Sequence, residues 1–135
     1  MKTKPVIVLF VVACLSCIML SCKKDQNTNK TMVQLTAQNN GKTETLAKGQ
    51  VFTVNLGNPG DGGYAFDAPV FDTNVLSISN HVHTPSTTNA IGDFGTDTWT
   101  FAAIKTGTTT LTVTATRPFD KTSTVKIFNG TFTVY

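Results

Sequence analysis

Gln50–Phe66, QVFTVNLGNPGDGGYAF, is the stretch that decides the fold. Its first part, Gln50–Leu56, carries apolar side chains at alternate positions, which predicts a strand with one buried face. Asn58–Gly63 then contains three glycines, a proline and an aspartate, residues that dominate turns. Because Pro59 fixes one backbone angle, this loop is expected to be stiff. Alternation resumes at Tyr64–Phe66, so the stretch predicts two strands joined by a glycine-rich loop, and an ordinary hairpin connection is its simplest interpretation.

The same alternation elsewhere in the chain predicts an all-β domain. Apolar and polar residues alternate at Val33–Ala37, Val75–Ser79, Trp99–Ala103, Leu111–Ala115 and Val125–Val134. No segment shows the sustained period of an amphipathic helix. Strands separated by Gly, Pro and Asn at this spacing are typical of a β-sandwich or a small barrel. Near the end, Asn129-Gly130 is compatible either with a hairpin turn or with a bulge inside one long strand.

Residues 1–21 have the organisation of a secretory signal peptide. Two lysines lie within Met1–Lys4, and Pro5–Leu20 is an uncharged, mostly apolar run that is shorter than the roughly 20 residues needed to span a bilayer. Met19–Cys22 resembles a bacterial lipobox, in which the cysteine is lipidated and becomes the new N-terminus. The resemblance implies lipidation at Cys22 and a membrane-anchored lipoprotein of the bacterial envelope, facing the periplasm or the cell surface. A plain secretory signal or an uncleaved anchor is the alternative.

After the signal, the chain divides into a tether and one domain. Residues 22–31 are polar and predict a short linker. Residues 32–135 leave about 100 residues, which is enough for one hydrophobic core. All three cysteines lie at or before Cys22, so this domain is expected to contain no disulfide, no thiol nucleophile and no cysteine-based metal site.

Charge and motifs exclude several classes of function. From Cys22 onward, nine Lys and Arg residues balance eight Asp and Glu residues, and no basic patch indicates nucleic-acid binding. No Gly-x-Ser-x-Gly, P-loop or His-Glu-x-x-His motif is present, so the chain is not expected to be an enzyme or to need a cofactor. The acids near the predicted loops, Asp61, Asp93 and Asp97 among them, are expected to be solvated.

Two histidines are candidate metal ligands. His81 and His83 lie two residues apart and therefore on the same face of a strand. A metal site would need a third ligand, and none is evident nearby. We therefore expect these histidines to face solvent at a strand end, and we expect no metal.

Three segments at strand ends together carry a family resemblance. They are Asn58-Pro59-Gly60-Asp61-Gly62-Gly63-Tyr64, Gly92-Asp93-Phe94-Gly95 and Arg117-Pro118-Phe119. In this order they resemble the chagasin family of cysteine-protease inhibitors, which carries an Asn-Pro-Thr-Thr-Gly-Tyr loop, a glycine-rich loop and an Arg-Pro-Trp motif. The second segment ends Asn80–Gly95, the least strand-like part of the domain, which predicts a long loop. The resemblance spans roughly Val51 to Tyr135 and depends on the order of the three motifs.

The resemblance implies a fold and a function. The fold would be an immunoglobulin-like β-sandwich of about seven or eight strands with three binding loops at one end. The function would be reversible, non-covalent inhibition of papain-like cysteine proteases by a monomer. Loop 58–63 would enter the active-site cleft, and loops 92–95 and 117–119 would contact its walls. The alternative, from a different class, is a surface lipoprotein whose β-sandwich binds a glycan or a host protein.

Two departures from the family pattern bear on the target. Gly60 and Asp61 replace paired threonines, and the carboxylate of Asp61 would be repelled by a catalytic thiolate unless it meets the imidazolium instead. Phe119 replaces a tryptophan, which keeps an aromatic surface but loses the indole N–H. Pro118 cannot donate to a sheet ladder, so the strand is expected to end or bulge there and to free Phe119 for contact with a protease. A place in the core is the alternative for Phe119.

Overall fold

Eight strands make up the part of the chain that the structure, a computed structural model, describes: residues 31–88 and 90–135. The strands are β1 (Val33–Thr36), β2 (Thr43–Leu46), β3 (Val51–Gly57), β4 (Ala65–Phe66), β5 (Leu76–Thr84), β6 (Thr96–Ala103), β7 (Gly107–Arg117) and β8 (Asp120–Val134). Two short 3₁₀ turns accompany them, at Ala37–Asn39 and Pro59–Gly62. Within this described part, no helix is long and apolar enough to cross a membrane.

The N-terminal segment lies outside the described residues. Three features predicted from the sequence therefore stay predictions. They are the signal peptide (1–21), lipidation at Cys22 and the tether (22–31), of which only residue 31 is described.

The strands form two four-stranded sheets that pack into a sandwich. One sheet has the order β1-β3-β6-β5 and the other the order β2-β8-β7-β4. β1 runs parallel to β3 and β2 runs parallel to β8, whereas the other pairs are antiparallel. The prediction of an all-β sandwich with seven or eight strands is confirmed.

Aromatic side chains from both sheets fill the space between them. Phe52 on β3 stacks on Phe101 of β6 with ring centroids 5.2 Å apart, and on Phe132 of the opposite sheet at 4.8 Å. All three rings are fully buried, and burying one such side chain stabilises the fold by about 2–3 kcal/mol. Trp99 is also buried and meets Phe66 edge to face, so it is unavailable as a stacking surface for a glycan.

The last strand settles the alternative left open at Asn129-Gly130. β8 continues through both residues, and its register against β7 shifts directly after the Val113–Phe128 pair. Ile127 is therefore the extra residue of a β-bulge, and Phe128 lies in the core. The chain ends in one long bulged strand and not in a hairpin.

The structure of β5 corrects two predictions. Asn80–Thr84, predicted as the start of a long loop, forms the second half of β5 and pairs with β6. Ile78, predicted to share a buried face with Leu76, is 43% exposed. The register shift between Ile78 and Asn80 interrupts the alternation that would have marked Asn80–Thr84 as a strand. Ile78 lies before that shift, and its exposure follows from the position of β5 at a sheet edge.

Candidate functional site

Three loops meet at one end of the sandwich, and they are the three segments predicted from the sequence. We call Asn58–Gly63 loop 1, Gly92–Gly95 loop 2 and Arg117–Phe119 loop 3. Loop 1 lies in the middle, because its first half contacts loop 2 and its second half contacts loop 3. The fold therefore brings the predicted site residues together on one surface.

Loop 1 is a short 3₁₀ turn that is closed by its own hydrogen bonds. The Oδ1 atom of Asn58 accepts a hydrogen bond from the N–H of Gly60 at 2.9 Å, and Pro59 occupies the first position of the turn. At the other end, the N–H of Gly63 donates to the carbonyl of Gly60 at 2.8 Å. Gly63 has a φ of 70°, in the left-handed region that favours glycine. Loop 1 thus has a defined shape before any partner binds.

Glycines allow loops 1 and 2 to approach each other closely. A Cβ atom on Gly60 would lie 2.9 Å from the ring of Phe94, and one on Gly92 would lie 3.3 Å from the carboxylate carbon of Asp61. A larger residue at position 60 would therefore displace the Phe94 ring. That ring covers one side of loop 1 and is 48% exposed. The Asp61 side chain is exposed, and its carboxylate lies beside Gly92 of loop 2.

Arg117 joins loop 3 to loop 1. Its Nε atom donates a hydrogen bond to the carbonyl of Gly62 at 2.9 Å. Its guanidinium carbon lies 4.6 Å from the centre of the Tyr64 ring, a distance typical of a cation–π contact. Tyr64 and Arg117 therefore support the second half of loop 1.

Phe119 lies at the tip of the hairpin between β7 and β8. Arg117 pairs with Asp120, so Pro118 and Phe119 form the turn between the strands. Phe119 is 80% exposed, and its ring lies 3.8 Å from the position that a Cβ atom on Gly63 would occupy. A place in the core is excluded for Phe119, and the ring borders loop 1 as an exposed aromatic surface.

Asp93 folds the segment that leads into loop 2. Its carboxylate accepts hydrogen bonds from the hydroxyls of Ser86 and Thr88 and from the N–H of Gly95. These hydrogen bonds favour the charged form and hold the pKa of Asp93 below its ordinary value. Asp93 was expected to be a solvated acid, and it remains on the surface, but its carboxylate organises the loop.

Ile91, directly before loop 2, is an exposed apolar residue that the motifs do not include. Its side chain is fully exposed. The one sequence signal for it was an isolated isoleucine among small and polar neighbours in a predicted loop. With Phe94 and Phe119, it gives this end of the sandwich three exposed apolar side chains.

A buried carboxylate lies at the base of loop 1. Asp97 on β6 is only 4% exposed, and it accepts hydrogen bonds from Asn58 Nδ2 at 2.7 Å, His81 Nε2 at 2.7 Å and His83 Nδ1 at 3.0 Å. We call these four residues the Asp97 cluster. Burial by itself would raise the pKa of Asp97, but the hydrogen bonds from Asn58, His83 and His81 outweigh burial and hold the pKa below its ordinary value.

The Asp97 cluster corrects the prediction that Asp97 is solvated, and it gives the two histidines, which are exposed as predicted, a hydrogen-bond partner. The side chains of His81 and His83 are each 44% exposed, but both rings turn toward Asp97. The cause is the strand register, in which His83 pairs with Asp97 and His81 with Trp99. His81 also stacks on Trp99 with centroids 4.5 Å apart. In the described residues, no group of His, Cys, Asp or Glu side chains has a metal-binding arrangement.

Solved structures of other proteins share this fold. The cysteine protease inhibitor EhICP2 from Entamoeba histolytica superposes with a TM-score of 0.62 at 17% identity, over 77% of this chain and 96% of that one. The solution structure of Amebosin superposes with a TM-score of 0.57 at 23% identity, over 77% of this chain and 98% of that one. None of the curated proteins matches the chain in sequence.

The family assignment comes from the sequence itself. The protein-family sequence model described as Chagasin family peptidase inhibitor I42 matches residues 45–134, a range that contains loops 1, 2 and 3. Because this match covers 90 of the 135 residues, the chain belongs to the chagasin family of peptidase inhibitors, as its three motifs predicted.

Proposed function

We propose that this protein is a reversible, non-covalent inhibitor of papain-like cysteine proteases that acts as a monomer. The observation that carries the proposal is the position of loop 1 between two supporting loops at one end of the sandwich. Membership of a family of peptidase inhibitors supports inhibition over catalysis. The narrow, glycine-rich form of loop 1 supports a cleft as the surface that it enters.

The shape of loop 1 suits entry into a cleft. Half of its residues are glycines and carry no side chain to widen it. Because its hydrogen bonds form within the free protein, loop 1 loses little conformational freedom on binding, and this raises affinity. We propose that loop 1 covers the catalytic cysteine and histidine. Inhibition without cleavage then requires only that no carbonyl of loop 1 lies in position for attack by the thiolate.

Exposed apolar residues beside loop 1 would contact the walls of the cleft. Phe94 lies on one side and Phe119 on the other, and the exposed Ile91 directly precedes loop 2. Aromatic side chains that become buried at an interface often supply most of its binding energy. These three residues are therefore proposed as the principal apolar contacts with the protease.

The direct test is an inhibition panel of papain-like, calpain-like, serine and metallo-proteases. We expect competitive inhibition of papain-like enzymes at stoichiometric concentration, with the inhibitor recovered uncleaved. Ile91→Ala should weaken this inhibition, whereas Ile104→Ala, a matched change of an exposed isoleucine at the opposite end of the sandwich, should not. Folded protein that inhibits no papain-like enzyme would contradict the proposal.

We also propose that a lipid on Cys22 holds the protein on a membrane of the bacterial envelope. The support is the order of basic residues, apolar run and Ser-Cys at the N-terminus. Cys22→Ala should release the protein from the membrane fraction or leave an unprocessed precursor, whereas Cys17→Ala should behave like the unaltered protein. Labelled fatty acid that enters the Cys22→Ala variant as efficiently as the unaltered protein would refute this proposal.

A further inference from the structure

We infer that Asp97 is a positioning residue that fixes loop 1 through Asn58, with His81 and His83 as its supports. The inference rests on the proposed function, because it takes loop 1 to be the segment that enters the protease. Asp97 is buried at the base of that loop. It would act on affinity through the shape of loop 1 and not through contact with the protease.

Asn58 takes part in three hydrogen bonds, of which two join loop 1 to the rest of the sandwich and one lies within the loop. Its Nδ2 atom donates to Oδ2 of Asp97 at 2.7 Å, and its Oδ1 atom accepts from the N–H of Gly60 at 2.9 Å. Its backbone N–H donates to the carbonyl of Gly95 at 2.9 Å. The side-chain amide of Asn58 thus links the carboxylate on β6 directly to the first turn of loop 1.

The two histidines hold the carboxylate in the orientation that Asn58 requires. His81 Nε2 bonds to Oδ1 of Asp97 at 2.7 Å, while His83 Nδ1 shares Oδ2 with Asn58. The His81 ring is itself fixed because it lies flat on buried Trp99, with an angle of 6° between the planes. Asp97 therefore has donors on both oxygens, and its side chain has one favourable orientation.

The chemistry of the cluster fixes the tautomer of each histidine. An ionised carboxylate is only an acceptor, so each ring must donate from the nitrogen that faces it. In their neutral forms, His81 then carries its proton on Nε2 and His83 carries its proton on Nδ1. Nitrogen chemical shifts of the two rings should report these opposite tautomers.

Removal of the charge at position 97 should loosen loop 1. Asn at this position keeps the size of Asp97 but replaces one acceptor oxygen by an N–H₂ group, which faces the donors of Asn58, His81 and His83. At least one of these partly buried donors then loses its partner. If the Asn58 side chain turns away, the N–H of Gly60 also loses its acceptor. Loop 1 would have to be ordered during binding, and affinity would fall.

The test compares Asp97→Asn with Val82→Ala. Val82 lies on β5 between the two histidines, is 47% exposed, and takes no part in the cluster, so it is the matched control. We expect Asp97→Asn to raise the inhibition constant for a papain-like protease about tenfold per folded molecule. We also expect it to speed hydrogen exchange at the Gly60 amide. Val82→Ala should change neither quantity.

Conservative variants of the two histidines test whether their hydrogen bonds to Asp97, and not the imidazole rings themselves, are required for inhibition. In His81→Gln the amide nitrogen takes roughly the place of Nε2, and in His83→Asn it takes roughly the place of Nδ1. The double variant His81→Gln/His83→Asn should therefore retain inhibition close to that of the unaltered protein. The double variant His81→Ala/His83→Ala should weaken inhibition in the same direction as Asp97→Asn.

Two results would overturn the inference. One is an unchanged inhibition constant in folded Asp97→Asn protein. The other is a loss of stability while inhibition per folded molecule and Gly60 exchange stay unchanged, because Asp97 would then serve the sandwich and not loop 1. If the unaltered protein inhibits no papain-like protease, the proposed function fails. Exchange at Gly60 would still show whether Asp97 fixes loop 1.

Discussion

Substitution of Phe119 distinguishes a role in binding a protease from a role in the stability of the fold. Because its side chain is 80% exposed, we expect Phe119→Ala to change the free energy of unfolding by less than about 1 kcal/mol. Its loss as an interface contact should weaken inhibition by about 1–2 kcal/mol. Denaturant midpoints and inhibition constants of the same variant measure both effects. Phe132→Ala, at a fully buried ring, is the control and should cost about 3–5 kcal/mol of stability.

Asp61 is expected to determine which proteases are inhibited. Its carboxylate is exposed in the middle of loop 1, where a catalytic thiolate would repel it. Asp61→Thr should therefore lower the inhibition constant for papain-like enzymes, and Asp61→Asn should do the same if charge and not shape is the cause. Weaker inhibition of every protease by both variants would show that Asp61 makes a favourable contact, with an imidazolium for example.

Within β8, Gly130 is expected to be required by packing. A Cβ atom there would lie 3.2 Å from the rings of both Phe128 and Phe132. Gly130→Ala should therefore destabilise the protein by about 1–3 kcal/mol, since the two rings cannot both move in a filled core. Gly57→Ala, where a Cβ atom would meet nothing within 4 Å, is the control for urea unfolding. Equal stability of the two variants would contradict this packing argument.

Strands with one buried face and one solvent-exposed face could be predicted from the sequence. β3 was predicted as Gln50–Leu56 and observed as Val51–Gly57, because its buried face alternates with a polar one. The second half of β5, Asn80–Thr84, could not be predicted in the same way. It lies at a sheet edge with both faces partly exposed, so no alternation marks it.

Part of the candidate site could be predicted from the sequence and part could not. Loops 1, 2 and 3 could be placed because each carries a local motif. The Asp97 cluster could not, since it depends on the register between β5 and β6, which brings His83 opposite Asp97. The sequence does contain one signal: His81 and His83 are two residues apart, and so are Asp97 and Trp99. This spacing indicates a cluster only when the pairing of β5 with β6 is known.

At the scale of the whole molecule, we expect a loss of stability in acid, because four aspartates have lowered pKa values in the folded protein. Local hydrogen bonds hold the pKa values of Asp72, Asp93 and Asp120 below the ordinary value. In Asp97, burial raises the pKa, but hydrogen bonds outweigh it and the net shift is also downward. The unfolded chain therefore takes up protons at a higher pH than the folded chain does. This contribution to stability is complete well above about pH 4, the ordinary value for aspartate, and is lost as the pH falls below it.

Asp97→Asn isolates the share of this acid sensitivity that belongs to the Asp97 cluster. At about pH 5, where the carboxylate is charged, the variant should have a lower free energy of urea unfolding than the unaltered protein. At about pH 2.5, below the ordinary pKa of aspartate, Asp97 of the unaltered protein takes up a proton more readily in the unfolded chain than in the folded one. Part of its contribution to stability is then lost, so the difference should shrink. Since Asp72, Asp93 and Asp120 are present in both proteins, a difference that stays constant between the two pH values would mean that the charge of Asp97 does not stabilise the folded state.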